Sequence, residues 1–312
     1  MSLRQVLESH ACAHFIRRAS FHPEDAIQIF SSPRGGSTWL MSLLSQLPGV
    51  ASLWEPFHSK KGVVPKHWGA RPHPDAFSEG DSAILGEVLA GHRVNAWTCS
   101  RTPLQQAKNA SQLLIKYVRG NRLLPFILNK WHLKHKPILL MRHPLDVAIS
   151  QLRAFGERPR DVRVNKVYPG HTKLQERWAE LSQVADPLER HLHLWCLLNA
   201  TLWEDMSRDH RVIAVHYHDL AMQPEKELYR IIEALDLTSA RARQSTQNFV
   251  SSLDPSKTSD TDFKGDFLAN NHDQLWKNLG AIDDERKAIL QTVLDQHGFS
   301  MYSMSDVAPQ RA

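Results

Sequence analysis

The sequence predicts an α/β fold: a three-layer α/β/α arrangement around a central parallel sheet, with residues 1–312 as a single domain. Three observations predict it. Continuous apolar runs of strand length (Ile27–Phe30, Ala51–Trp54, Leu113–Val118, Ile138–Met141 and Val212–Tyr217) alternate with helical patterns. Such strands are buried on both faces, as in a parallel sheet with helices above and below. A glycine-rich turn, "SSPRGGSTWL" at 31–40, joins the first run to a helix like a phosphate-binding loop. Finally, "PILLMRHPLDVAISQL" repeats the passage from buried strand to helix, with Arg142 at the strand's end.

Taken in order, residues 1–26 read as a helical N-terminal extension. Arg, Glu and His interrupt each of its apolar stretches, which does not fit a secretion signal. After the first strand and its loop, Leu40, Leu43, Leu44 and Leu47 recur at i, i+3, i+4 and i+7, the apolar stripe of a helix. Residues 56–80, "PFHSKKGVVPKHWGARPHPDAFSEG", are rich in Pro, Gly, His and Lys and form a long irregular loop. Loops of that length in a compact domain are commonly functional. Pro144 and Pro224 sit where a first-turn proline belongs. Leu145, Ala148, Ile149 and Leu152 make the expected buried face of the first of these helices. Ser150 and Asp146 fall off that face. Residues 250–275 are a second polar, turn-rich loop, and "DDERKAILQTVLDQHG" is a helix with acids first and Gly298 as its stop.

The composition is that of an ordinary soluble globular protein, 42% hydrophobic and 23% charged, with a formal net charge of +5. The basic excess suits an anionic ligand. Cys12, Cys99 and Cys196 are few, odd in number and far apart, which fits neither a disulfide framework nor a structural zinc site and points to a reducing cytoplasm. No apolar run reaches membrane-spanning length. The 18 histidines lack metal-ligand spacing; the densest group, "HLHLW" at 191–195, reads as one side of a helix. No metal and no membrane partner is expected, and monomer and homodimer both remain open.

Strand, Gly-Ser loop and helix make an anion site by physics alone. The loop amides and the free N–H groups of the first helical turn converge on one point, and the helix dipole adds positive charge. Gly35 and Gly36 let the backbone approach, Ser37 and Thr38 add hydroxyl donors, and Arg34 adds a fixed charge able to bridge two oxygens. Arg142, with Ser150 eight residues further on, could grip a second phosphate. The nucleotide-triphosphate loop reads G-x-x-x-x-G-K-[ST], and here Gly36 stands in the lysine slot.

These segments resemble those of sulfotransferases that use 3′-phosphoadenosine-5′-phosphosulfate (PAPS). "SSPRGGSTWL" is similar to their 5′-phosphosulfate loop and "RHPLDVAIS" to their 3′-phosphate motif. "VIAVHYHDLAMQPEKELYRIIEALDL" and "LWKNLGAIDDERKAIL" resemble later family segments, with His218 where Glu is usual. The resemblance implies PAPS as co-substrate, no metal, and in-line transfer of the sulfuryl group to a hydroxyl of a small metabolite or carbohydrate. It implies that Arg34, Gly35, Gly36, Ser37, Thr38 and Trp39 hold the 5′-phosphosulfate, Trp39 through its amide or beneath the adenine. Arg142 and Ser150 would hold the 3′-phosphate, with Tyr217, Lys264 and Gly265 as further contacts.

For the base the resemblance divides. "ASLWEPFH" is similar to the E-P-x-x-H segment of carbohydrate-type members and makes Glu55 the expected base, with His58 nearby. "NKWHL" offers His132 in the K-x-H spacing of small-molecule members, but on a helix and close before the Ile138 strand. Lys116 should face the same cleft, steadying the transferring group or pairing with Glu55. Two rivals stand beside this reading. A small-molecule P-loop kinase shares the loop but needs its lysine and a metal-binding carboxylate. A basic nucleic-acid-binding module suits the charge, but the basic residues form no run and no base-stacking pattern appears, so no nucleic acid partner is expected.

Overall fold

The computed structural model describes residues 3–157, 163–237 and 271–310. Its strands are β1 (Ile27–Ser31), β2 (Val50–Trp54), β3 (Gln112–Tyr117), β4 (Ile138–Met141) and β5 (Ile213–His216), each on an apolar run expected to be a strand. They form one five-stranded sheet in the order β2-β3-β1-β4-β5, with β1 central. β3 runs parallel to both β1 and β2, and Lys116 lies opposite Ile29 on one side and Trp54 on the other. The longer helices are α1 (Leu3–Arg18), α2 (Ser37–Leu44), α3 (Asp81–Leu89), α4 (Pro144–Phe155), α5 (Pro187–Met206), α6 (Pro224–Ala234), α7 (Asn271–Gly280) and α8 (Asp284–Gln296). Proline opens α4, α5 and α6, where its fixed φ suits the first turn and its missing N–H costs nothing. Asp283 caps α8 by accepting from the Arg286 amide at 2.7 Å.

The chain divides into two compact units interleaved in sequence. One comprises Met1–Ser31, Ser37–Ile138 and Val164–His171, the other Ser32–Gly36, Leu139–Arg163 and Thr172–Ala312. In the first, β1, β2 and β3 carry helices on both faces. On one face, Ser52 of β2 meets Ser45 just beyond α2 (2.6 Å). On the other, the turn after α3 packs Gly91 between Ile16 of α1 and Leu113 of β3. The 56–80 loop contains only two short 3-10 turns, Lys66–Trp68 and Pro74–Ala76. What orders its second half is one buried carboxylate. Asp81 accepts from Trp68 Nε1 (2.6 Å) and from the amide and hydroxyl of Ser78 (both 2.6 Å), and meets His67 Nε2 at 2.9 Å. Burial opposes its charge, but the hydrogen bonds from Ser78, His67 and Trp68 outweigh burial and hold its carboxyl down at about 2.

In the second unit, "HLHLW" lies on α5 as expected, with His191 Nε2 3.1 Å from the Gly156 carbonyl and His193 bonded to His297 at 3.0 Å. The first half of α4 departs from the sequence reading. It is buried nearly all round, Asp146 and Gln151 included, while Ile149 and Leu152 are half-buried. Both buried polar residues are matched, Asp146 by Arg142 and Asn278, and Gln151 by the Pro33 carbonyl (2.9 Å). All three cysteines are free and buried. No helix among the described residues is long and apolar enough to cross a membrane.

Candidate active site

In the second unit the loop after β1 is pinned from several directions. Ser32 Oγ meets Asn199 Oδ1 of α5 at 3.1 Å, the Gly35 amide donates to the Ser32 carbonyl (2.9 Å), and Gln151 of α4 holds Pro33. Arg34 and Gly36 both take positive φ, 71° and 93°. Arg34 is one of only three non-glycine residues to do so among the described residues, and Glu55 (39°) is another. Backbone strain of this kind gathers at ligand sites because the surrounding structure must enforce it. Arg34 Nε donates to Ser150 Oγ at 2.9 Å, so the structure joins two residues that the sequence offered as parts of separate motifs.

Arg142, just past β4, stacks its guanidinium 4.7 Å from the centre of the Tyr217 ring and donates through Nε to Asp146 Oδ2 (3.1 Å). The other Asp146 oxygen accepts from Asn278 Nδ2 of α7 at 2.7 Å. Burial works against the Arg142 charge, but Asp146 outweighs it and raises the guanidinium above its ordinary value. Burial likewise pushes the Tyr217 phenol up to about 12, so it stays protonated at neutral pH. Tyr217 opens a short helix, Tyr217–Met222, and its ring fills the space where a Gly36 side chain would lie.

In the first unit, α2 starts at Ser37, which is buried together with Trp39. Glu55 follows β2 directly, and its amide donates to the Lys116 carbonyl at 3.2 Å. Its side chain is held at both ends. Lys116 Nζ donates to Oε1 (3.0 Å) and Arg119 Nη1 to Oε2 (2.6 Å). Lys116 also reaches Thr38 Oγ1 on α2 (3.2 Å) and lies 3.4 Å from the centre of the Trp54 ring, which Arg101 approaches at 4.7 Å. Burial alone would raise the Glu55 carboxyl, but Lys116 and Arg119 outweigh it and leave it below the ordinary glutamate range. Burial depresses the Lys116 ammonium to about 8 even though Glu55 works the other way, so the lysine remains mostly charged at neutral pH.

Of the two sequence readings of Lys116, charge stabiliser or partner of Glu55, the structure shows the pairing with Glu55. His58 Nδ1 accepts from the amides of Lys60 and Lys61 (both 3.2 Å), which leaves its proton on Nε2. His132 is not on a helix. It is exposed, two residues past the short helix Leu124–Lys130, in a segment whose Lys134 amide is tied to the Glu24 carbonyl (2.9 Å). Glu24 precedes the start of β1, whereas Glu55 follows the end of β2, so the structure does not bring His132 to Glu55. Lys264 and Gly265 lie outside the described residues.

Sequence reasoning missed Arg119, Asn278 and the role of Asp146. The rule that singled out Arg142, a cation just beyond a strand end, applies equally to Arg119, two residues after β3. Asn278 lies within the "LWKNLG" segment, but its partner is 132 residues away and no local pattern announces the contact.

The class defined so far is an α/β protein with a phosphate-type loop after its central strand, no lysine in that loop, and cations at the strand ends. A family model described as "Sulfotransferase domain" matches residues 24–279, and the chain belongs to the sulfotransferase family. Among solved structures, the chain is similar to a sulfotransferase domain from the curacin biosynthetic pathway (18% identity, 88% of this chain and 97% of that one, TM-score 0.44). It is also similar to a sulfotransferase domain from the Synechococcus PCC 7002 olefin synthase (20% identity, 89% and 95%, TM-score 0.44). A third similar structure is a mouse sulfotransferase, SULT7A1, complexed with PAP (12% identity, 88% and 84%, TM-score 0.43). A search of curated proteins gives no match.

Proposed function

We propose that this sulfotransferase moves the sulfuryl group of PAPS to a hydroxyl of a small metabolite or carbohydrate, with Glu55 as the base. The observation that carries the reading is the placement of Glu55 against Lys116, which in turn touches Thr38 at the start of the loop helix. One lysine therefore links a carboxylate able to take a proton with the loop segment suited to a phosphosulfate.

In the transfer, the acceptor oxygen forms a bond to sulfur while the bond from sulfur to the 5′-phosphate oxygen breaks. The electron pair leaves with 3′,5′-adenosine bisphosphate (PAP), and the acceptor proton passes to a Glu55 oxygen. The depressed Glu55 carboxyl is ionised and available at neutral pH but only weakly basic. Proton transfer therefore accompanies bond formation to sulfur, which acidifies the hydroxyl, rather than preceding it. The Lys116 ammonium offsets negative charge that builds on the departing phosphate oxygen. Arg34, Gly35, Gly36, Ser37, Thr38 and the Trp39 amide hold the 5′-phosphosulfate. The buried Trp39 indole does not suit an adenine platform. Arg142 and Ser150 hold the 3′-phosphate, with Tyr217 supporting Arg142. Lys264 and Gly265 complete this proposed donor set.

A screen of hydroxyl acceptors with labelled PAPS tests the reading. Glu55→Gln should lower turnover by at least a hundredfold, the usual worth of a positioned base, while PAP binding stays within about threefold. Turnover unchanged in Glu55→Gln removes Glu55 from the base role.

A further inference from the structure

We propose that the acceptor carries an oxyanion, a carboxylate or phosphate, and that Arg119 is the residue that anchors it; this rests on the sulfuryl-transfer reading above. The carboxylate of Glu55 separates two cations. Oε1 faces Lys116, the cation that also touches Thr38 of the loop helix, and Oε2 faces Arg119. Lys116 and Arg119 thus take different oxygens of the base, and of the two it is Lys116 that touches the start of the loop helix.

Arg119 is built as an anion fork with capacity to spare. Its side chain is 20% exposed, and of its five N–H donors one is spent on Glu55. The other four have no partner among the described residues. The half-buried His58 feels both Arg119 and Lys61; burial first and then Arg119 depress its basicity against the opposing pull of Glu55, and Lys61 adds a smaller share. The Lys61 ammonium lies 5.9 Å from the centre of the Trp97 ring, and the His58 ring meets the same indole edge-on at 5.0 Å.

Glu55 is the one carboxylate in ion-pair contact with this group among the described residues, and both of its oxygens are taken. Asp75 of the 56–80 loop pairs with His73, and Asp81 just beyond the loop is held by His67, Trp68 and Ser78. The four remaining donors of this partly exposed guanidinium are open to solvent, so an anion reaching the base can displace water from them. Planar carboxylate and tetrahedral phosphate both match the fork. An anion that competes with Glu55 for Arg119 also frees Oε2 to accept a proton, so a charged acceptor is both anchored and activated.

The test is calorimetry on PAP-saturated protein with three matched pairs: glycolate and glycolamide, glucuronate and glucose, glycerol 3-phosphate and glycerol. At least one anion should bind ten or more times as tightly as its neutral partner, and the pair that responds tells carboxylate from phosphate. Arg119→Gln should erase that preference, Arg119→Lys should keep part of it, and the exposed Lys61→Gln should weaken it about threefold. Equal binding within every pair, no binding by any anion, or a preference that survives Arg119→Gln overturns the proposal. The wild-type comparison stands even if a variant misfolds. Failure of the wild type to bind PAP instead refutes the donor assignment, and the pairs are then compared on the ligand-free protein.

Discussion

Replacing Gly36 by alanine puts a methyl group where the loop has no room for one. At φ 93° the new Cβ would stand 2.3 Å from Cδ2 and 2.6 Å from Cε2 of Tyr217. Ordinary contact begins near 3.4 Å, so the ring must retreat by about 1 Å. It is buried, and the Arg142 guanidinium lies 4.7 Å from its centre, so the displacement passes to Arg142. The left-handed backbone costs an alanine about 1–2 kcal/mol, and forcing extra volume into a packed site adds about 1–3 kcal/mol. The sum is about 2–5 kcal/mol, a large share of the 5–15 kcal/mol typical of a whole domain. With a slope of about 3 kcal/mol per molar urea, a 3 kcal/mol loss moves the unfolding midpoint by about 1 M. A displaced Arg142 also loses a charge-assisted contact worth about 1.5–3 kcal/mol, so PAP should bind about ten to a hundred times more weakly. Urea unfolding followed by circular dichroism and calorimetric titration with PAP read the two effects. A variant with the wild-type midpoint and wild-type PAP affinity would refute both the packing argument and the place given to Arg142.

Three further outcomes are expected. The rate should fall above about pH 8, where the Lys116 ammonium is lost, and show no limb from Glu55 above about pH 5, because its carboxyl lies below the ordinary range; a rate that stays flat to pH 10 would remove the lysine charge from the mechanism. Asp146→Asn should weaken PAP binding about tenfold, and Asn278→Ala less, because both act through Arg142 and each breaks part of its support; with an active acceptor the KM for PAPS should rise more than kcat falls, and equal affinities in calorimetry would show that Arg142 needs no positioning. For Asp81 the folded value of about 2 lies below the unfolded 3.8. Its contribution is therefore complete above pH 4 and is lost as pH falls through 2, about 2 kcal/mol in all. In Asp81→Asn the acid-induced drop in melting temperature over that interval should shrink, and an unchanged drop would mean that other groups carry it.

Much of the fold is legible because its signals are local. Continuous apolar runs mark all five strands, since a strand buried on both faces cannot afford alternation, and first-position prolines mark the starts of α4 and α6. The loop from Ser32 to Thr38 reads directly from its residues, for the same reason that only small residues let a backbone approach an anion. The buried face of α4 was misjudged because Asp146 and Gln151 look like surface residues until their partners are known. His132 has a family-like spacing in sequence, but chain connectivity places it near the start of β1 rather than beside Glu55.

The sequence alone therefore determined the strands, the anion loop and the two cation-bearing strand ends, because each is written within about ten consecutive residues. Only the tertiary structure decided which charges meet. Glu55 joins Lys116 and Arg119 because β2 pairs with β3 in a register that sets Trp54 opposite Lys116, across more than 60 residues of chain. Arg142 receives Asp146 and Tyr217 from two different helices, and Asp146 receives Asn278 from a third. Coulomb energy depends on distances of a few ångströms in a desolvated site, and those distances are fixed by strand order and helix packing rather than by any neighbour in the chain.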